Sequence, residues 1–288
     1  MKKVLVTGAT GFIGNYVVEE LLKRNFNVIA SSSSREKAAG FPWYKQVTFV
    51  ELNLQNIDEG INYFNFFKQP QSFIHLAWEG LPDYTGDFHI TKNLPRHLAL
   101  LKNMVQNGLS DITVAGTCFE YGLQEGQLSE NIHPKPVIEY ATAKDEMRKN
   151  LQQICASKPV SLKWMRLFYM YGNGQHPNSL IPQLNKALAE KQEVFNMSAG
   201  EQQRDFLPVG KVAEYIVTIA VQKNVTGIIN VCSGKPVMVK DFVKEYLQQN
   251  NKSIQLQLGY YPYNLYEPMR FWGDDTKLQS IIENESFL

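Results

Sequence analysis

The chain has 288 residues, of which 44% are hydrophobic and 20% are charged, a balance typical of globular proteins and not of disordered ones. Its 29 basic and 28 acidic residues leave a formal net charge of +1. The composition therefore provides no excess of positive charge for binding nucleic acid or an acidic membrane surface. We expect the binding partners of this protein to occupy pockets.

The sequence gives no sign of export, membrane insertion or metal binding. No window approaches the roughly eighteen continuous apolar residues that a membrane-spanning helix needs. The three cysteines, Cys118, Cys155 and Cys232, are widely spaced and form no CxxC pair, which is typical of reduced thiols in the cytoplasm. The five histidines show no metal-ligand spacing. We therefore expect a cytoplasmic protein without a bound metal.

In the first half, short β-branched runs alternate with helical patterns, an order typical of βαβ units and a parallel sheet. Strands are predicted at 4–6, 27–30, 48–52, 72–77, 111–115 and 162–167. Helices are predicted at 13–24, 91–107 and 140–155. This order predicts an α/β fold, with a Rossmann-type doubly wound parallel sheet formed by residues 1–168.

The second half is richer in turns. Helices are predicted near 180–191, 209–222 and 239–249. We interpret residues 169–288 as mainly a smaller, mixed substrate-binding lobe, with residues 208–235 returning to the Rossmann domain. The segment 258–275 is rich in aromatic residues without a clear period. It predicts either a segment packed over the core or a wall on which a base or sugar stacks.

A glycine-rich turn lies between the first predicted strand and the first predicted helix, at residues 7–14. Gly8 permits a tight turn, Gly11 lets the backbone approach a pyrophosphate, and Gly14 lets the helix pack on the strand. The free amides at a helix N-terminus favour an anion. The turn therefore predicts a dinucleotide site that includes Gly8, Gly11, Phe12, Ile13 and Gly14.

The end of the second predicted strand, residues 30–35, reads Ala-Ser-Ser-Ser-Ser-Arg and contains no carboxylate. A carboxylate there binds the adenosine ribose of NAD and repels a 2′-phosphate, whereas hydroxyls and a guanidinium hold a phosphate. We therefore expect NADP(H) in preference to NAD(H), bound through Ser31, Ser32 and Arg35.

Tyr140 and Lys144 are four residues apart on a predicted helix, so their side chains lie on the same face. A phenol has an ordinary pKa of about 10, and a nearby ammonium favours its ionised form. The spacing predicts an acid/base pair in which Lys144 lowers the pKa of Tyr140.

The GxxGxxG spacing of the first glycines resembles that of the short-chain dehydrogenase/reductase superfamily, in its extended, sugar-nucleotide branch. Residues 114–122, Val-Ala-Gly-Thr-Cys-Phe-Glu-Tyr-Gly, resemble the segment in which this family has a serine or threonine five positions before a glycine. The resemblance implies Thr117, Tyr140 and Lys144 as the catalytic residues. The hydroxyl of Thr117 is then expected to bind the substrate carbonyl oxygen beside Tyr140.

The resemblance extends over most of the chain, through residues 75–77, 166–172, 204–209 and 230–234. For the cofactor it implies contacts from Asn53, Leu54, Leu76, Ala77 and Asn93. For a nucleotide-sugar substrate it implies contacts from Cys118, Phe119, Phe168, Asn178, Ser179, Leu180, Arg204 and Arg270. Arg204 is expected either at the substrate diphosphate or in an ion pair with Asp205. His75 is expected to pack at a strand end.

The residues after Thr117 distinguish among the reactions of this branch. Dehydratases have an Asp-Glu pair there, because eliminating water requires an additional acid and base. This chain has Cys118 and Phe119. Enzymes that epimerise and then reduce use a cysteine and a histidine near the sugar, and the candidates here are Cys118 and His176.

The resemblance therefore implies reduction at C4 of a nucleotide-linked 4-keto-6-deoxyhexose, in the synthesis of sugar donors for surface polysaccharides. It also implies a homodimer that pairs the helices predicted at 91–107 and 140–155. A nucleotide-sugar C4 epimerase and an epimerase-reductase are the alternatives within the family. A regulator that binds dinucleotide without turnover is the alternative from another class.

Overall fold

A computed structural model describes residues 2–285. The first half forms β1 (Lys3–Thr7), α1 (Phe12–Lys23), β2 (Asn27–Ser32), α2 (Arg35–Ala39), β3 (Thr48–Glu51), α3 (Tyr63–Phe66), β4 (Ser72–His75), α4 (Leu94–Gln106), β5 (Asp111–Thr117), β6 (Gly126–Leu128), α5 (Glu139–Ala156) and β7 (Ser161–Leu167). The second half forms β8 (Tyr169–Tyr171), α6 (Leu180–Ala189), β9 (Val194–Asn196), β10 (Gln203–Arg204), β11 (Phe206–Pro208), α7 (Val209–Val221), β12 (Gly227–Val231), β13 (Val237–Met238), α8 (Val239–Gln249), β14 (Gln255–Gln257), β15 (Phe271–Gly273) and α9 (Thr276–Glu285).

Seven strands form a parallel sheet in the order β3-β2-β1-β4-β5-β7-β12. From β1 the chain first builds outward through β2 and β3, and then crosses to the other side of β1 to build β4, β5 and β7. The strand order reverses between β1 and β4, and sheets of this type bind ligands at the carboxyl ends of the strands at this point. The expected Rossmann-type doubly wound sheet is confirmed.

Helices cover both faces of this sheet because its strands alternate apolar side chains between two cores. Val6 and Ala30 belong to a core shared with α1, α7 and α9. Leu5 and Ile29 belong to a second core, shared with α4 and α5. The helix that carries Tyr140 is therefore fixed against the sheet by its apolar face.

A smaller core lies among α6, α8 and the short strand β9, where Leu184, Phe195 and Val243 are buried. Helix α7 and strand β12 pack with the central sheet, and α9 packs there as well through Leu278 and Ile281. The final helix thus lies with the Rossmann core and apart from the smaller core.

The aromatic segment 258–275 combines two environments. Near its C-terminal end, β15 pairs with β6, and Phe271 is buried. Near its start, Tyr260 and Tyr261 are 59% and 52% exposed. The segment is therefore packed against the protein at one end and accessible at the other.

No helix within residues 2–285 has the length and apolar character needed to cross a membrane.

Candidate active site

The turn at residues 7–14 lies at the carboxyl ends of β1 and β4. Gly8 has a φ of +71°, and a β-carbon there would come within 2.7 Å of the Ala77 backbone nitrogen. A β-carbon on Gly14 would overlap the carbonyl oxygen of Gly8. Helix α1 begins after Gly11 without a side-chain cap. The amides of the first turn are therefore open to a ligand, and the tight backbone fits a pyrophosphate at this end of α1.

Ser31 and Ser32 lie at the end of β2, beside this turn. Ser31 is buried, and its carbonyl oxygen accepts a hydrogen bond from the Ala9 backbone at 3.1 Å. The Ser32 hydroxyl donates to the carbonyl oxygen of Ser34 at 3.3 Å. The backbone of β2 thus supports the turn, while Ser32 closes the following loop.

Arg35 begins α2, and its side chain is 53% exposed. Its Nη1 donates to the Tyr44 hydroxyl at 3.1 Å, and its Nε lies 3.7 Å from a carboxylate oxygen of Glu51. Glu51 ends β3 next to β2. This carboxylate belongs to the neighbouring strand, so the sequence at the end of the second strand gives no sign of it.

The other residues predicted to bind the cofactor are already engaged within the protein. The Asn53 side chain accepts a hydrogen bond from the Gln55 backbone at 2.9 Å, and Leu54 is buried in the core. Leu76 follows β4, and its backbone donates to Thr7 at 3.2 Å. The Asn93 amide is buried and donates to the carbonyl oxygen of Glu79 at 3.0 Å.

Thr117, Tyr140 and Lys144 come together where β5 ends and α5 begins. They are 6%, 8% and 2% exposed, respectively. The Tyr140 backbone donates to the carbonyl oxygen of Tyr84 at 3.1 Å, which caps the first turn of α5. The Lys144 Nζ donates to the carbonyl oxygen of Ala115 in β5 at 2.9 Å. Strand and helix are thus joined directly through the catalytic candidates.

Burial controls the ionisation of this pair. It raises the pKa of the Tyr140 phenol, while a hydrogen bond with Thr117 acts in the opposite direction. Burial also lowers the pKa of Lys144 to about 7, against the attraction of the Glu120 and Glu79 carboxylates. The expectation of a lowered phenol pKa is therefore wrong in direction, because both side chains lose water when α5 packs on the sheet.

Glu120 is a fully buried carboxylate beneath this site. It accepts hydrogen bonds from the Thr117 backbone at 2.9 Å, from Trp164 Nε1 at 2.9 Å and from Arg166 Nε at 2.9 Å. Arg166 is likewise fully buried. This ion pair fixes the turn that carries Thr117. Its only signal in the sequence is the presence of an acid, Glu120, three residues after Thr117.

An aromatic wall lies beside Tyr140, and sequence reasoning missed two of its members, Trp78 and Tyr84. The rings of Trp78 and Tyr84 lie 5.9 Å and 5.7 Å from the Tyr140 ring. The Phe119 ring contacts those of Tyr84, Tyr169 and Tyr266 at 5.3–6.4 Å. The one signal for Trp78 in the sequence is its position directly after the segment 75–77.

Cys118 and Phe119 occupy the turn after Thr117. Cys118 is buried, and burial raises the pKa of its thiol far above the ordinary range. Phe119 supplies only an aromatic ring. His176 lies in an exposed loop, where its Nδ1 accepts a hydrogen bond from the Asn178 backbone at 3.1 Å. The structure places no ionised base at residues 118–119.

Arg204 has a different partner from the one that its neighbour in sequence suggests. Its guanidinium pairs with Glu267 at 2.9 Å and lies 4.7 Å from the Phe271 ring centroid. The carboxylate of Asp205 instead accepts hydrogen bonds from Ser233 and from the Gly234 backbone. The alternative of an Arg204–Asp205 ion pair is therefore wrong, because the two side chains project in opposite directions from adjacent positions of an extended chain.

The remaining predicted substrate residues fall into three settings. Phe168 is buried in a hydrophobic cluster with Phe271. Arg270 is exposed, and its carbonyl oxygen accepts a hydrogen bond from the Gly126 backbone at 2.8 Å. Asn178 and Leu180, on either side of Ser179, line a cavity of about 330 Å³ in the smaller lobe. Tyr261 lines the same cavity.

His75 is buried at the end of β4, as expected from its position, and it is hydrogen-bonded to Thr7 and His97.

Within residues 2–285 there is no group of three or more His, Cys, Asp or Glu side chains placed to hold a metal ion.

Comparison with known proteins shows the family of this chain. Residues 4–232 match the model of the NAD dependent epimerase/dehydratase family. A dTDP-6-deoxy-L-talose 4-dehydrogenase (NAD(+)) from Aggregatibacter actinomycetemcomitans is 29% identical, over 94% of this chain and 98% of that protein. A dTDP-4-dehydro-6-deoxyglucose reductase from Escherichia coli is 24% identical, over 86% and 82%.

Among solved structures, a UDP-glucuronic acid 4-epimerase from Bacillus cereus, in complex with UDP-glucuronic acid and NAD, superimposes with a TM-score of 0.82. It is 23% identical, and the match covers 98% of this chain and 93% of the epimerase, a likeness that shows the fold. From the family match over residues 4–232, we conclude that the chain belongs to the NAD-dependent epimerase/dehydratase family.

Proposed function

We propose that this protein reduces a nucleotide-linked 4-keto-6-deoxyhexose at C4, with Tyr140 as the general acid. The observation that carries the proposal is the buried trio of Thr117, Tyr140 and Lys144, with no ionised base beside it in residues 118–119. Two relatives named above act, by their names, on a 6-deoxyhexose at its 4-position. Surface polysaccharide synthesis is the process in which such a product is used.

In this reaction, a bound nicotinamide cofactor supplies a hydride to C4. Thr117 donates a hydrogen bond to the carbonyl oxygen, and Tyr140 gives that oxygen a proton as negative charge develops. The raised pKa suits an acid, because the phenol keeps its proton until the carbonyl oxygen becomes basic. The charge of Lys144 then stabilises the tyrosinate until solvent returns the proton.

The amides of Phe12, Ile13 and Gly14 fit the cofactor pyrophosphate, and Lys144 fits its nicotinamide ribose. At the adenosine end we propose NADP(H), held by Ser32 and Arg35, because β2 ends without a carboxylate. NAD(H) is the alternative. It is named for the Aggregatibacter relative, and the Glu51 carboxylate beside Arg35 is compatible with it.

For the substrate we propose that the nucleotide lies at the cavity lined by Asn178, Leu180 and Tyr261, and that the sugar extends toward Tyr140 along Phe119. Arg204 is 2% exposed and paired with Glu267, so it meets a diphosphate only if that carboxylate gives up part of its contact. We further propose a homodimer formed through α4 and α5.

C4 epimerisation is the second candidate, because oxidation, rotation and return of the hydride use the same three side chains. The two reactions differ in their balance of cofactor: reduction consumes one reduced cofactor for each product, whereas epimerisation consumes none. An epimerase-reductase differs again, since it must remove a proton beside the ketone.

The test is a panel of nucleotide 4-keto-6-deoxy sugars incubated in deuterated water with NADPH or NADH, with products identified by NMR. We expect one cofactor oxidised for each C4 alcohol formed, with no deuterium at C3 or C5 above the enzyme-free background. Enzyme-dependent deuterium at either carbon would favour the epimerase-reductase. Binding of dinucleotide without turnover of any substrate in the panel would favour the regulator.

A further inference from the structure

We propose that Trp78 is a positioning residue of this active site, whose indole face holds the Lys144 ammonium in its charged form beside Tyr140. The Lys144 Nζ lies 4.0 Å from the centroid of the Trp78 ring. The same ring meets Tyr140 edge-on, with the centroids 5.9 Å apart and the planes at 66°. Trp78 therefore contacts both members of the pair. The role of this contact in catalysis rests on the proposed function.

The indole is held in a fixed orientation. The His97 imidazole packs against it, with the ring centroids 4.6 Å apart, and the His89 ring centroid lies 6.0 Å away. Its Nε1 donates a hydrogen bond to His89 Nδ1 at 3.0 Å. A ring fixed by this packing and by its own N–H presents its negative face to Lys144 without having to reorganise.

His97 and His75 form a chain of hydrogen bonds behind the indole. The Glu79 carboxylate lies 3.1 Å from His97 Nε2, so that nitrogen carries the proton and donates it. His97 Nδ1 then accepts from His75 Nε2 at 2.8 Å, and His75 Nδ1 accepts from the Thr7 hydroxyl at 2.7 Å. Burial lowers the pKa of both imidazoles. Burial therefore disfavours an imidazolium at His75 or His97 that would repel the Lys144 ammonium.

The charged groups that act on Lys144 are few. The Glu120 carboxylate, after β5, and the Glu79 carboxylate, after β4, both favour the ammonium, whereas burial disfavours it. Tyr140 keeps its proton and adds no charge. In such a desolvated position an aromatic face contributes strongly to holding a cation. It does so without forming an ion pair that would compete with the ribose hydroxyls for the lysine.

The first test uses the cofactor-free protein and does not depend on turnover. Lysine labelled with ¹³C at Cε is followed by NMR as the pH is raised, and Lys144→Met identifies the Lys144 signal. We expect the Cε protons to be shifted upfield by the indole ring current in wild type. An unshifted signal would overturn the proposal, and this observation needs no variant of Trp78 to fold.

The second arm of the experiment titrates Lys144 in Trp78→Leu, Trp78→Phe and Trp272→Leu. Removing the ring face is expected to lower the Lys144 pKa by about one unit in Trp78→Leu. Trp78→Phe keeps a ring and is expected to lose only part of that shift, while Trp272→Leu leaves the titration unchanged. Equal Lys144 titration in wild type and Trp78→Leu would refute the assignment.

Turnover provides an independent readout. If the ammonium is required for turnover, kcat falls as the pH rises through the Lys144 pKa. This alkaline limb of the kcat–pH profile is expected to move to lower pH in Trp78→Leu. A purely structural role would lower kcat at every pH without moving the limb. A wild-type protein that shows the ring-current shift but reduces no 4-keto sugar would overturn the proposed function and leave the indole–ammonium contact in place.

Discussion

The Glu120 carboxylate and the Thr117 backbone form a buried hydrogen bond of 2.9 Å at the end of β5. In return, the Thr117 hydroxyl accepts a hydrogen bond from the Phe119 backbone at 3.3 Å. These two hydrogen bonds hold the turn at both of its ends. Because a hydroxyl can accept one hydrogen bond while it donates another, Thr117 can still donate to a carbonyl oxygen.

Replacing Glu120 by Ala is expected to destabilise the protein by about 3–5 kcal/mol, because it leaves the fully buried Arg166 without its carboxylate. Equilibrium urea unfolding measures this loss. Glu146→Gln is the matched control, since Glu146 is an acid of α5 whose side chain is 45% exposed and paired with Lys149. It is expected to cost under about 0.5 kcal/mol. Similar losses for the two variants would contradict the structural role of Glu120.

Tyr140→Phe is expected to lower kcat at least about a hundredfold, which is the scale of losing a general acid. The ring contacts with Trp78 and Tyr84 survive in phenylalanine, so cofactor affinity should stay nearly unchanged. Steady-state kinetics and cofactor titration by fluorescence measure the two quantities. Turnover close to that of wild type would remove Tyr140 from the mechanism.

Lys144→Met is expected to abolish most turnover and yet to stabilise the fold, more at pH 6.5 than at pH 9. The pKa of Lys144 is about 7 in the folded protein, below the ordinary value of 10.5. Between pH 7 and pH 10.5, this lysine is therefore protonated in the unfolded chain and largely unprotonated in the folded protein. Wild type therefore gains stability as the pH rises from about 7 toward 10, while the variant does not. Urea unfolding at both pH values should show the advantage of the variant shrinking by roughly 2 kcal/mol. A pH-independent difference would contradict the lowered pKa.

Arg35→Ala tests the proposed choice of cofactor. If the guanidinium holds a 2′-phosphate, the variant is expected to raise KM for NADPH about tenfold and to leave KM for NADH nearly unchanged. Lys37→Ala, also in α2, provides the control for general loss of positive charge. A wild-type enzyme that already prefers NADH would show that Arg35, with Glu51 beside it, does not select the phosphorylated cofactor.

Ala99→Glu tests the proposed homodimer. Ala99 is a small, partly exposed residue of α4, and a carboxylate there is expected to oppose close pairing of α4 and α5 between two copies. Sedimentation equilibrium should show a dimer in wild type and a monomer in the variant. Ala189→Glu places the same charge at the exposed end of α6 and should leave the dimer intact. A wild-type monomer at micromolar concentration would overturn the proposal.

The sequence by itself determined the features that depend on short spacings. The strands and helices of the Rossmann fold follow from periods of two and 3.6 residues, and the phosphate turn follows from three glycines between a strand and a helix. Tyr140 and Lys144 lie on one face because they are four residues apart on one helix. Each of these patterns lies within a single element or a single turn.

Only the tertiary structure decided which distant side chains meet and which of them lose water. Arg204 pairs with Glu267, 63 residues away, and Trp78, in the segment after β4, meets Lys144 of α5. The raised pKa of Tyr140 and the lowered pKa of Lys144 follow from burial between α5 and the sheet. Such desolvation depends on how separate elements pack, and no local pattern of residues encodes it.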